Sequence, residues 1–130
     1  MKIDNILLDK LTAQAKESPR LRMNLDLRNS DGDSSQRMLN AIEPGSVVPI
    51  HRHQKTSETV VVLRGRVVEE YYSSEGECVA SYDLAAGGPV CALNIPAGQW
   101  HALRALDPGT VILEMKDGPY EPIQECDILR

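Results

Sequence analysis

The sequence predicts an all-β barrel fronted by a short N-terminal helix, and three observations carry that expectation. Leu21, Met23, Leu25 and Leu27 alternate with Arg22, Asn24, Asp26 and Arg28, the period of a half-buried strand. Beyond them, short runs of strand formers are separated by turn signals such as Glu43-Pro44-Gly45, Pro96-Ala97-Gly98 and Asp107-Pro108-Gly109. The third observation is that His51, His53 and Glu58 precede one such run while His101 opens another, as expected if neighbouring strands aim side chains at one point.

The elements follow in order. Asp4 is placed to cap a helix reaching about Ala15, with Leu7, Leu8, Leu11 and Ala15 at helical spacing and Ser18-Pro19 as its stop. The alternating strand from Leu21 to Leu27 comes next. Its polar face reads as solvated, or, in a sharper version, as Arg22 and Asn24 meeting an anionic or hydroxylated ligand. Asn29 to Ser35 is a loop by composition and lacks the closing Glu of an EF-hand. Strands are expected at Gln36–Ile42, Val47–His53 and Thr59–Leu63, and Arg64-Gly65-Arg66 then makes a hairpin with Val67–Tyr72. Ser73 to Glu77 closes a second hairpin onto Cys78–Leu84. Val90–Ile95, Gln99–Leu106 and Thr110–Lys116 complete the set. On the last strand Glu114 and Lys116 share the face opposite Val111, Leu113 and Met115. That polar face is expected in solvent; only if it lines the barrel do the two become acid or base candidates. Residues 1–19 are thus a helix and linker, 20–118 the barrel and 119–130 a tail.

Length and composition bound the function. A chain of 130 residues with 42% hydrophobic content suffices for one core, here aliphatic, since there is one Trp, four Tyr and no Phe. A net charge of -5, pI near 5.1 and dispersed basic residues argue against nucleic acid held by phosphate contacts. No apolar run has membrane-spanning length and the N-terminus lacks a signal-peptide pattern, so a cytoplasmic location without membrane contact is expected. Cys78, Cys91 and Cys126 form no Cys-x-x-Cys pair and read as small hydrophobes in a reducing compartment, Cys126 being the more exposed.

The chemistry-bearing residues are the histidines and Glu58. His51 and His53 lie at i and i+2, on one face of a strand. With Glu58 and His101 they offer three imidazoles and a carboxylate, donors suited to iron(II), manganese, nickel or zinc. All three histidines of the chain fall in this set. Glu58 is either a ligand or the orienting partner of a ligating histidine. One divalent ion per chain is expected.

The spacing Gly45-x5-His51-x-His53-x4-Glu58-x6-Gly65 resembles the first cupin motif, and Pro96-x-Gly98-x2-His101 resembles the core of the second. Two positions depart from the second motif: Val90 stands where a glycine is usual and Ala105 where an asparagine is usual. The segments Ser18-Pro19-Arg20-x-Arg22-x-Asn24, Gln36-Arg37-Met38-Leu39-Asn40 and Leu113-Glu114-x-Lys116-Asp117-Gly118-Pro119-Tyr120 resemble the WbuC family of small cupin-fold metalloproteins. That resemblance implies a double-stranded β-helix, or jelly-roll, fold with a bound metal and a setting in surface-polysaccharide metabolism. It makes Arg22, Asn24, Lys116 and Tyr120 the candidates for contact with a small polar ligand, a sugar or nucleotide sugar. It also implies a homodimer.

Three functions are consistent with these residues. The first is a metal-dependent enzyme, such as an isomerase or epimerase, in which the ion polarises a carbonyl or activates water or dioxygen. The second is a non-catalytic module that holds a small ligand at its metal for a partner to read. In the third, a structural metal serves a dimer.

Overall fold

The computed structural model describes residues 1–130. Helix α1 spans Asn5–Glu17, and the Asp4 side chain accepts the Leu7 amide at 3.0 Å, the expected cap. Eight strands follow: β1 Arg22–Asp26, β2 Ser35–Ile42, β3 Glu58–Arg64, β4 Arg66–Tyr72, β5 Cys78–Ala85, β6 Ala92–Ile95, β7 Trp100–Ala105 and β8 Thr110–Asp117. They form a five-stranded sheet in the order β1-β2-β8-β3-β6 and a three-stranded sheet in the order β5-β4-β7. Every pairing is antiparallel. The two sheets face each other as a jelly roll without closing into one continuous hydrogen-bonded barrel.

Between the sheets lies an apolar cluster in which Ile42, Val60, Val62 and Ile112 of the larger sheet meet Val67, Leu84 and Leu103 of the smaller. A second cluster covers the outer face of the larger sheet. There Leu8, Leu11 and Ala15 of α1 pack on Leu39, Ala41 and Val111, with Met23, Leu25 and Leu113 alongside. Each fully buried aliphatic side chain contributes about 1.5–3 kcal/mol from removal of its surface from water. The apolar face expected for residues 21–27 is therefore the face under the helix. Glu43, nearly buried, accepts the Gly109 amide at 2.7 Å and ties the turn before β8 to the end of β2.

Four expectations need correction. Val47 to His53 is not a ladder strand: it carries only a β-bridge at His51, to His101 on one side and Ile128 on the other. Pro49, which has no amide hydrogen, limits a longer ladder here. Arg64-Gly65-Arg66 does not close a hairpin, because β3 and β4 belong to different sheets. Gly65 instead hands the chain between sheets at φ +79°, in contact with Thr110 where a Cβ would collide. Glu114 and Lys116 do not face solvent: β8 pairs them with Val60 and Glu58 of β3, on the inner face. Finally, Cys78 and Cys91 are exposed like Cys126, all three free, so none is a core hydrophobe.

The tail is ordered into a strap. A 3-10 turn at Glu125–Asp127 precedes a return past the histidine segment, where the Leu129 amide donates to the Ile50 carbonyl at 2.8 Å. Asp127 accepts from Arg52 at 3.0 Å and from Gln54 at 2.6 Å, and the Arg52 guanidinium stacks on Trp100 at 4.5 Å. Arg52 thus points outward between two inward histidines. No helix is long and apolar enough to cross a membrane.

Candidate metal centre

Backbone pairing sets the two motif histidines opposite each other. The His51 amide donates to the His101 carbonyl at 3.0 Å and the His101 amide returns the bond at 2.8 Å. The Gly98 amide donates to the His53 carbonyl at 2.7 Å, extending the same alignment. His51, His53, Glu58 and His101 consequently converge, with one nitrogen or oxygen from each within 4.8 Å of the others. Donors bonded at ~2.1 Å to one ion lie at most ~4.2 Å apart, so small side-chain movements close the set around a cation. The four expected ligand residues are brought together by the fold.

The ring nitrogens are oriented for it. His51 Nδ1 donates to the Pro49 carbonyl and His101 Nδ1 to the Gln99 carbonyl, each at 2.8 Å and each two residues back in the chain. A carbonyl only accepts, so in the neutral rings the hydrogen sits on Nδ1 and Nε2 keeps its lone pair. His101 Nε2 lies 3.2 Å and His53 Nε2 3.5 Å from Glu58 Oε2. Glu58 Oε2 is buried and receives no hydrogen bond. Several lone pairs thus face one another with no hydrogen between them, an arrangement that a divalent cation satisfies. The residues fit a metal on this chain's own geometry.

Electrostatics agree. Burial disfavours the charged form of Glu58, but the adjoining His101, followed by Lys116 and His53, holds its carboxyl down at about 2. Burial, followed by the nearby Lys116, pulls His53 down to about 4, and burial followed by His101 lowers His51. At neutral pH Glu58 is ionised while His51 and His53 are neutral, the protonation states a metal requires.

A cavity of about 260 Å³ opens onto these four residues and continues between the sheets. Of the proposed ligand contacts, Arg22, Lys116 and Tyr120 line it. Asn24 does not: it pairs with Asn40 on the edge strand β1, one position outward and exposed. Arg22 donates to Ser46 Oγ at 3.3 Å and the Val47 carbonyl at 2.7 Å, bracing the loop before the histidines. The Lys116 ammonium makes no ion pair or hydrogen bond within the chain, although its backbone pairs in the β8 ladders. Tyr120 lies at the mouth with the Arg28 guanidinium 5.5 Å above its ring.

Sequence reasoning missed Asn40 and Glu69 and expected Glu114 in solvent, and all three line the cavity. Burial, then the charges of Glu58 and Glu114, pushes Glu69 up to about 9; burial, then Glu58, pushes Glu114 up to about 8. For Glu69 the available signal was its place two residues from Val67 on one face of β4. Val67-Val68-Glu69-Glu70-Tyr71-Tyr72 repeats each residue class in pairs, so neither face declares itself.

The fold is a cupin-type jelly roll, and the solved structures that this chain resembles share that fold. The chain belongs to the family described as "Domain of unknown function (DUF6016)", which matches residues 3–84. An oxalate oxidase in complex with the substrate analogue glycolate superposes with TM-score 0.67 at 16% identity, covering 84% of this chain and 57% of that one. KdgF from Halomonas sp. gives TM-score 0.61 at 18% identity over 79% of this chain and 84% of its own. The capsular polysaccharide assembling protein CapF from Staphylococcus aureus gives 0.61 at 18% identity, over 77% and 30% respectively. This chain spans little more than half the length of the oxalate oxidase, and at these identities the likeness is one of fold. No curated protein sequence matches it.

Proposed function

We propose that this protein is a divalent-metal-binding cupin of the WbuC type that binds or acts on a sugar or similar small polar metabolite in surface-polysaccharide metabolism. The observation that carries the reading is the convergence of His51, His53, Glu58 and His101, with Glu58 Oε2 buried and unpartnered, at the head of a cavity. The sequence segments that resemble WbuC proteins support the setting, as does the fold likeness to CapF, a capsular polysaccharide assembling protein. The cavity, about 260 Å³, sits just below the ~300–1,000 Å³ usual for small-molecule sites. That volume favours a molecule of monosaccharide size over a nucleotide sugar enclosed whole.

The four residues would hold the ion, which would supply Lewis-acid polarisation of a ligand oxygen. The rest falls to the chain. Arg22 and Lys116 place positive charge beside the ligand, and Tyr120 with the strap limits access by water. Elemental analysis of protein purified without an affinity tag or chelating resin tests the reading. About one iron, manganese, nickel or zinc per chain is expected in the native protein and none in a His51→Ala, His101→Ala double variant. No metal in either, with none taken up on titration, would refute it. Metal-loaded protein would then be screened for turnover of monosaccharides and nucleotide sugars.

A further inference from the structure

The wall beyond the metal-binding cluster carries groups that the cluster does not use. Glu69, on the inner face of β4 beside Leu103, is wholly buried, and neither carboxyl oxygen has a hydrogen-bond partner. Asn40, on the inner face of β2, is 7% exposed, and its Oδ1 is likewise unpartnered. Both line the same cavity as His51, His53, Glu58 and His101. Buried polar side chains are nearly always hydrogen-bonded, and three orphaned oxygens lining one cavity, one from the larger sheet and two from the smaller, break that rule together. Their same-face neighbours Ile42 and Val67 are apolar, so these strands accommodate aliphatic residues at adjacent inward positions.

We propose that Asn40 and Glu69 select the ligand, and that they select a small polyhydroxylated compound whose hydroxyl groups meet them while an oxygen-bearing head faces the metal-binding cluster. This rests on the reading of that cluster as a metal centre and adds the ligand's chemistry to it. Asn40 Oδ1 only accepts hydrogen bonds, so the ligand must bring a donor. Glu69, wholly buried with neither oxygen partnered, is held toward its neutral form chiefly by burial, and a neutral carboxyl gives one hydrogen bond and takes others. A hydroxyl group, both donor and acceptor, satisfies Asn40 and Glu69 alike. An ammonium only donates, and an alkyl chain satisfies neither. At the head of the cavity the unpaired Lys116 ammonium favours a carboxylate or another electron-rich oxygen.

Calorimetric binding to manganese-loaded protein tests this with two matched pairs, glucuronate against tetrahydropyran-2-carboxylate and gluconate against hexanoate. Each pair shares a carboxylate and a carbon skeleton and differs in hydroxyl groups. The hydroxylated member is expected to bind at least about tenfold tighter to the native protein. Glu69→Leu is expected to remove most of that preference, leave the hydroxyl-free acids unaffected and keep the metal content unchanged. Asn40→Val, on a different strand, is expected to weaken the hydroxylated acids several-fold and reports independently if Glu69→Leu fails to fold. A preference that survives both substitutions arises at the metal through chelation and overturns the proposal. Failure of metal-loaded native protein to bind either hydroxylated acid also overturns it. Metal content is measured on every sample: retained metal without hydroxyl preference sinks this inference alone, whereas absent metal sinks the metal-centre reading and this inference with it.

Discussion

The space between the two sheets has two ends built from the same strands. At one end β2, β3, β4, β7 and β8 contribute Ile42, Val60, Val67, Ala105 and Ile112, all apolar and buried. At the other the same five strands contribute Asn40, Glu58, Glu69, His101 and Glu114. The change from one character to the other takes a single same-face step, two residues, on β2, β3, β4 and β8, and two steps on β7. One end therefore supplies stability by removing aliphatic surface from water. The other gives some of it back as unsatisfied polar groups, and gains a site.

That contrast can be broken from either side. Ile112→Ala, at the apolar end and fully buried, is expected to cost about 2–5 kcal/mol through lost transfer energy and the cavity left behind. Urea unfolding measures the loss, and metal uptake by the folded fraction should be unchanged. A loss below about 1 kcal/mol would mean that the apolar end is not the stabilising one.

A smaller effect of opposite sign is expected at the polar end. The Glu69 carboxyl is pushed up to about 9 when folded, by burial first, against 4.5 for a free glutamate side chain. As pH rises through 4.5 the unfolded chain releases this proton while the folded one keeps it, so the unfolded state binds fewer protons. Glu69 therefore makes the metal-free protein less stable as pH climbs from about 4.5 to about 9, with no further loss above. Glu69→Leu should flatten that slope and raise stability at neutral pH. Urea midpoints across the range check it; parallel slopes for the two proteins would show that the carboxyl ionises freely in the folded state.

The two ends also differ in how far the sequence reveals them. The converging residues were legible because residue types able to hold a metal are few and their spacing is tied to strand geometry: His51-x-His53, Glu58 and His101 stand out in a chain with three histidines. Asp4 as a helix cap and the alternation at residues 21–27 were legible for similar local reasons. The inward turn of Glu114 and Lys116 was not. On β8 both faces are covered, one by α1 and the other by the opposite sheet, so Val111 and Leu113 look like the core face when they are the face under the helix. Alternation identifies two faces but does not say which meets the cavity. Nor did it show that the segment before the histidines is held by paired bridges, because His101 and Ile128, its partners, lie far along the chain. The crossing at Gly65 between sheets was hidden for the same reason: a hairpin and a crossover share the same turn residue.

If His51, His53, Glu58 and His101 hold a divalent ion, that ion stabilises the folded chain, and unfolding reads the linkage without needing a substrate. Thermal unfolding of metal-free protein would be followed with and without manganese(II), beside the His51→Ala, His101→Ala variant. A ligand at a hundredfold excess over its Kd stabilises the native state by about 2.7 kcal/mol. A rise in Tm of that origin is expected in the native protein and none in the variant. An equal rise in both, or no rise in the native protein with manganese, iron, nickel or zinc, would contradict it.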